Sequence, residues 1–258
     1  MMTVPDLVQL PFATDDGFGS RARIGLIVLE SDQTIEAEAR MLNLPDVDFY
    51  HSRIGNSMEV TSETLTDMEQ RLPAAAALLP REFDFDAIGY GCTSAATLIS
   101  ADRVTAAIQS EHPGVACTNP ITAAVAAFRA LDACRVAVVT PYTADVTAPI
   151  ARSLADEGLS VTALGSFLES NDFTVGRISP QSVADGVRTT ARSADCDAVF
   201  VSCTSLRLLA SVEGLESEVG VPVVSSNMAL FWHLLRLAGI ADRIDGLGRI
   251  FTRQLTSG

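Results

Sequence analysis

The chain reads as an α/β protein: two pseudo-symmetric doubly wound domains, each with a four-stranded parallel sheet, and an active site in the cleft between them. Three observations predict this. First, Asp86-Ala-Ile-Gly-Tyr-Gly-Cys92-Thr93-Ser94 reappears as Asp197-Ala-Val-Phe-Val-Ser-Cys203-Thr204-Ser205, 111 residues later. Second, further landmarks keep a similar spacing. Arg23-Ile-Gly-Leu-Ile-Val-Leu is echoed 112 residues on by Arg135-Val-Ala-Val-Val-Thr-Pro, and Gly114-Val-Ala-Cys-Thr-Asn119 is echoed 106 residues on from Gly220 to Asn227. A period of about one hundred residues is too long for a solenoid and means two copies of a small domain. Third, continuous apolar runs alternate with helical patterns, the mark of a parallel sheet covered on both faces.

Taken in order, residues 1 to about 20 form a loose lead-in, with Pro5, Pro11 and Asp15-Asp-Gly-Phe-Gly19. Strand-like runs follow at 24–29, 47–51, 86–91 and 115–117, separated by helix-like stretches near 34–43, 61–79 and 95–111. The second half repeats the plan, with strands near 135–140, 160–165, 197–202 and 221–224 and helices near 144–157, 180–193 and 205–213. Thr143 and Ser179-Pro180 are suitable helix starts. Helical stretches 119–132 and 227–239 each follow a fourth strand, and the sequence leaves open whether each packs on its own half or crosses to the other. No Gly/Ser-rich or charged linker separates the halves, so a close-packed, chain-crossing pair is expected over two independent domains. The division adopted is 1–119 with 227–258 as the first domain and 120–226 as the second.

At 258 residues and 48% hydrophobic, the chain can bury a sizeable core. A formal net charge of −14 disfavours a nucleic-acid or acidic-membrane partner, because both need basic patches. No apolar run approaches the ~20 residues of a membrane span, and Met1 to Ala13 lacks a basic region followed by an apolar block, so a cytoplasmic protein is expected. The five cysteines form no Cys-x-x-Cys pair and are odd in number, which points to free thiols in a reducing compartment. His51, His112 and His233 have no metal-ligand spacing, and neither a dinucleotide fingerprint nor a phosphate loop is present. No metal and no cofactor are expected. Oligomeric state is left open, with a homo-oligomer among the possibilities.

In open α/β sheets ligands bind beyond the carboxyl ends of the strands, and both Cys-Thr-Ser turns fall there. With the halves related by a pseudo-twofold axis, Cys92 and Cys203 would face each other across the cleft. A thiol at a helix N-terminus feels the positive end of the dipole, so a lowered pKa is expected for both. Thr93, Ser94, Thr204, Ser205 and the free N–H groups there could hold a small carboxylate substrate without a basic side chain. A single cysteine at a strand end is more often an inert core thiol. Repetition of the whole turn favours a reactive pair, whereas Cys117, Cys134 and Cys196 have no repeat partner and read as structural. After the first strand comes Asp32, which could bind substrate or merely cap a helix. After its counterpart comes Tyr142, which could bind substrate or merely pack. Asn171 in isolation reads as a loop residue and His233 as part of a packed helix.

The paired Cys-Thr turns, Thr140-Pro141-Tyr142, and Asn171 ahead of Arg177-Ile-Ser resemble the aspartate/glutamate racemase superfamily, in its maleate isomerase and arylmalonate decarboxylase branch. The likeness runs from about Arg23 to Leu237. Within the branch, Asp32-Gln-Thr-Ile-Glu36, Tyr90-Gly-Cys-Thr-Ser-Ala, Arg177-Ile-Ser-Pro-Gln-Ser182, Val201-Ser-Cys-Thr-Ser-Leu-Arg207, and Ser225-Ser-Asn227 with Trp232 to Leu237 are similar to the ectoine/hydroxyectoine utilisation protein A family. The resemblance implies cofactor-free chemistry at a carbon next to a carboxylate. In racemases one thiolate removes the α-proton and the other thiol returns one to the opposite face. In maleate isomerases the cysteine matching Cys92 adds to the double bond and the one matching Cys203 exchanges the proton. Tyr142 and Asn171 match positions that hold substrate carboxylates. Arylmalonate decarboxylases keep one of the two cysteines, so the full pair here disfavours decarboxylation of a malonate-type acid. Maleate isomerases carry Asn where this chain has Asp32, and a carboxylate there would repel a dicarboxylate. The expected activity is a two-cysteine racemase or epimerase of ectoine breakdown; the alternatives are maleate cis-trans isomerase, decarboxylase, and a carboxylate-binding protein without catalysis.

Overall fold

The computed structural model of the chain describes residues 7–256, so residues 1–6 of the expected lead-in lie outside the described residues. From residue 7 to the first strand the chain has no regular structure and is largely exposed. The first half then runs β1 (Ala22–Leu29), α1 (Ile35–Ala39), β2 (Val47–Ile54), α2 (Ser62–Thr66), α3 (Leu72–Ala76), β3 (Ala87–Gly91), α4 (Thr93–Ile99), α5 (Ala101–Gln109) and β4 (Ala116–Thr118). Helix α6 (Pro120–Ala130) leads into the second half: β5 (Arg135–Thr140), α7 (Ala144–Asp156), β6 (Ser160–Ser166), α8 (Asp172–Val175), α9 (Pro180–Ser193), β7 (Ala198–Val201), α10 (Val212–Val219), β8 (Val223–Ser225) and α11 (Ser226–Leu237).

The two sheets have the same order, β2-β1-β3-β4 and β6-β5-β7-β8, with all pairs parallel. In the central pairs β1 and β3, β5 and β7, nearly every residue is buried, as their unbroken apolar runs require. The repeated Asp and Arg have a matching structural use. Asp86 accepts the Arg23 backbone N–H at 2.8 Å, and Asp197 accepts that of Arg135 at 2.8 Å, so each carboxylate ties the start of one central strand to the next. The doubled α/β architecture expected from the repeat is therefore present.

Both connecting helices cross over. Helix α11 is buried along its length from Ser226 to Arg236, and it lies on β3 so closely that a Cβ on Gly89 would come 2.9 Å from Leu234 Cδ1. A helix apolar on all sides belongs in the middle of a molecule, and this one closes the first sheet although it follows the second. Helix α6 packs against α11, and its Phe128 meets Phe200 of β7 edge to face at 5.8 Å. His233 is buried within α11, stacked on Trp232, with Nδ1 2.8 Å from Thr118 Oγ1.

Three expected helices differ. The 61–79 stretch is α2 and α3 joined by a 3₁₀ turn, Asp67–Arg71, because Pro73 has no N–H for the carbonyl four residues back. The 95–111 stretch breaks at Ser100, whose φ of 85° no helix accommodates. The helix expected at 205–213 does not form: the chain turns after Cys203, passes a 3₁₀ turn at Leu209–Ser211, and becomes helical at Val212. No helix among the described residues is long and apolar enough to cross a membrane.

Candidate active site

Strands β3 and β7 end at equivalent points, and their next residues but one or next residue carry the thiols into one small cavity. Cys92, 3% exposed, directly follows β3 as the extended N-cap of α4. Cys203, 2% exposed, follows β7 after Ser202 and sits in a turn. Both line the cavity together with Ser94, Thr204, Ser205 and Tyr142. The free space is about 10 Å³, what one water needs.

Hydrogen bonds surround each sulfur. Ser94 Oγ lies 3.7 Å from Cys92 Sγ, and the Ser205 backbone N–H donates to Cys203 Sγ at 3.3 Å. Tyr142, just beyond the carboxyl end of β5, brings its hydroxyl beside Cys203 and Ser94. Burial first, then the two thiols, holds the Tyr142 phenol well above its ordinary pKa, so it stays neutral.

The thiols depart from expectation. Burial pushes Cys92 up to about 11, against hydrogen bonds from Ala95 and Ser94 that act the other way. Burial, followed by the charge of Asp172, pushes Cys203 up to about 12. The lowered pKa expected from helix starts is overruled by desolvation at Cys92, and at Cys203 no helix follows to supply a dipole.

Asp172, the first residue of α8, lines the cavity, and the sequence reading passed it over in favour of its neighbour. It accepts from the Ser31 hydroxyl, and Asn56 and Ser205 beside it favour the carboxylate, yet burial outweighs them and raises its pKa. Asn171 does not line the cavity: its Oδ1 accepts the Thr174 N–H at 3.0 Å and caps α8. The short polar loop in which the pair sits offered no signal to choose between them. Thr93 also lies outside the lining, its hydroxyl donating to Ser226 Oγ at 2.7 Å.

Asp32 sits behind the lining. Its Oδ1 accepts the N–H groups of Thr34 and Ile35 at 2.7 and 2.8 Å, the capping geometry anticipated as the bland alternative, while Oδ2 is buried without a partner. Burial is the main cause that raises its pKa to about 6, and its charge reaches Cys92.

Glu59, Val60 and Asp172 of the lining belong to a strap that the sequence did not announce. Residues 58–60 run antiparallel to 170–172, with Val60 N–H donating to Ser170 O and Asp172 N–H to Met58 O, both at 2.9 Å. No Arg, Lys or His lines the cavity among the described residues. Nor does any group of three or more His, Cys, Asp or Glu there have an arrangement that could hold a metal ion.

A model of the arylmalonate decarboxylase family matches residues 24–251. The chain belongs to this family. The arylmalonate decarboxylase of Bordetella bronchiseptica is 31% identical over 241 residues, covering 90% of this chain and 97% of that one. Maleate isomerases share the fold. The structure of Iso from Pseudomonas putida S16 superposes with a TM-score of 0.81 at 26% identity, over 90% of this chain and 98% of that one. A cysteine-to-serine variant of the Nocardia farcinica maleate cis-trans isomerase, holding a covalently bound succinylcysteine intermediate, has a TM-score of 0.77 at 28% identity, over 89% of this chain and 98% of that one. The placement in the maleate isomerase and arylmalonate decarboxylase branch of the superfamily therefore stands, and the chain is an enzyme of that superfamily.

Proposed function

We propose that this arylmalonate decarboxylase family member is an isomerase that works without a cofactor. In this reading Cys92 and Cys203 act as the acid–base pair and move a proton at the carbon next to a carboxylate. The observation that carries the reading is the delivery of both thiols, from equivalent strand ends, to one cavity of about 10 Å³. Inversion at carbon needs a base on one face and an acid on the other, and two thiols on one small space supply that pair. The Tyr142 hydroxyl and the hydroxyls of Ser94, Thr204 and Ser205 would hold the carboxylate.

Charge narrows the substrate. Asp172 in the lining and Asp32 behind it oppose thiolate formation, and a second carboxylate on the substrate would add to that repulsion. An ammonium or amide N–H beside the reacting carbon would instead pair with Asp172 and ease ionisation of either thiol. An amino-acid-like substrate such as N-acetyl-2,4-diaminobutyrate answers this description, and the likeness to the ectoine utilisation family points the same way. The succinylcysteine in the Nocardia structure favours a second reading, addition of Cys92 to the double bond of maleate.

Incubation in D₂O with each substrate, followed by proton NMR, separates the two. The expected result is loss of the α-proton signal with N-acetyl-2,4-diaminobutyrate and inversion that Cys92→Ser and Cys203→Ser each abolish. Conversion of maleate to fumarate without α-exchange of the amino-acid-like compound, or inversion at the parental rate in either variant, would overturn the proton-transfer reading.

A further inference from the structure

The two thiol turns repeat in sequence but are held by different means. Cys92 leads into α4, where its carbonyl accepts the Ala96 N–H at 3.1 Å and the helix fixes the backbone beside the sulfur. After Cys203 no helix forms, so the N–H groups of the following segment need other partners. Those of Leu208 and Leu209 both donate to Glu38 Oε1 at 2.9 Å. Glu38 Oε2 accepts from Asn227 Nδ2 at 2.8 Å, and the same amide donates to Thr204 O at 2.8 Å. Glu38 thus reaches from α1 of the first half and grips the Cys203 turn at its far end directly and at its near end through Asn227. Thr34, also from the first half, adds a bond from its hydroxyl to Ser205 O at 2.9 Å.

We propose that Glu38 is the positioning residue for Cys203, its carboxylate standing in for the helix that holds Cys92. A buried carboxylate is costly unless every oxygen is bonded, and Glu38 is 5% exposed. All the hydrogen bonds to its carboxylate come from the Cys203 segment or from the amide that ties that segment down. Its significance for catalysis rests on the two-thiol reading above, whereas its effect on the thiol itself does not.

The test therefore uses iodoacetamide and no substrate. The full chain and its Glu38→Ala, Glu38→Gln and Asn227→Ala variants are labelled at several pH values, and the rates at Cys92 and Cys203 are read separately by peptide mass spectrometry. Loss of the grip frees the Cys203 turn locally, so Glu38→Ala and Asn227→Ala should raise the Cys203 rate about fivefold or more while Cys92 stays within about twofold. Glu38→Gln keeps the shape and an acceptor oxygen for Leu208 and Leu209 but turns an amide N–H toward Asn227 Nδ2, so its ratio should fall between that of Glu38→Ala and that of the parent. A general loss of stability would speed both thiols together. Should Glu38→Ala fail to fold, Asn227→Ala carries the same comparison. An unchanged Cys203-to-Cys92 ratio in the folded variants, or equal acceleration of both thiols, would overturn the proposal. A parental protein that inverts no carboxylate would overturn the proposed reaction and leave this ratio fully informative.

Discussion

Asp32 is at once a cap and a buried acid with one oxygen left over. Its folded pKa of about 6 lies above the ordinary 3.8, so the folded chain binds a proton more tightly than the unfolded one. The contribution of Asp32 to stability is therefore full below about pH 4, falls as pH rises towards 6, and is flat above that. Asp32→Asn keeps the acceptor for Thr34 and Ile35 and removes the titration. It should stabilise the protein at neutral pH by up to about 3 kcal/mol and flatten the loss between pH 4 and 6, as measured by urea unfolding at pH 4.5 and 7. If the charge also selects substrate, the same variant should raise kcat/KM for maleate relative to N-acetyl-2,4-diaminobutyrate. Unchanged ratios would leave Asp32 a cap alone. Asp172 was invisible to sequence reasoning because nothing in Ser170-Asn171-Asp172 marks which carboxamide or carboxylate turns inward; the antiparallel pairing with residues 58–60 decides it.

At the level of elements, the central strands were legible because each is a nearly unbroken apolar run, while helices were legible only where the chain obeys local rules. The 180–193 helix begins at Ser179, whose hydroxyl accepts the Ser182 N–H, and it ends where the pattern ends. The failed helix after Cys203 has the right apolar spacing, Leu206, Leu209 and Val212, yet a carboxylate some 170 residues away takes its N–H groups. Helix α11 carries a shorter-range tie. Arg236, 8% exposed, donates to the carbonyls of Ile240, Asp242, Phe251 and Arg253 and so binds the C-terminal segment to the helix. A lysine ammonium has three N–H bonds on one atom and cannot span carbonyls spread around a planar fork. Arg236→Lys should cost about 2–3 kcal/mol in urea unfolding, because buried carbonyls lose their partners. It should leave the relative labelling of the two thiols unchanged.

The whole molecule shows what a repeat can and cannot reveal. Identical strand order in the two sheets, the shared Asp–Arg ties and the delivery of Cys92 and Cys203 to one cavity all follow from the duplicated motif. The parts that lie outside the symmetry were not legible: the strap, the grip of Glu38 and the inward turn of Asp172 each join residues from different halves. The strap has a kinetic consequence. The space of about 10 Å³ holds one water, so a carboxylate needs the cavity to widen, and the two backbone bonds between residues 58–60 and 170–172 are the contacts expected to part. The amides of Val60 and Asp172 should exchange with solvent far faster than those of β1 or β5, and a bound carboxylate should slow them, as hydrogen-exchange mass spectrometry can read. Entry then works as an airlock. With rising ligand concentration, the observed rate of binding in stopped flow should level off at the rate of opening rather than climb in proportion, because each molecule waits for the door and not for the encounter.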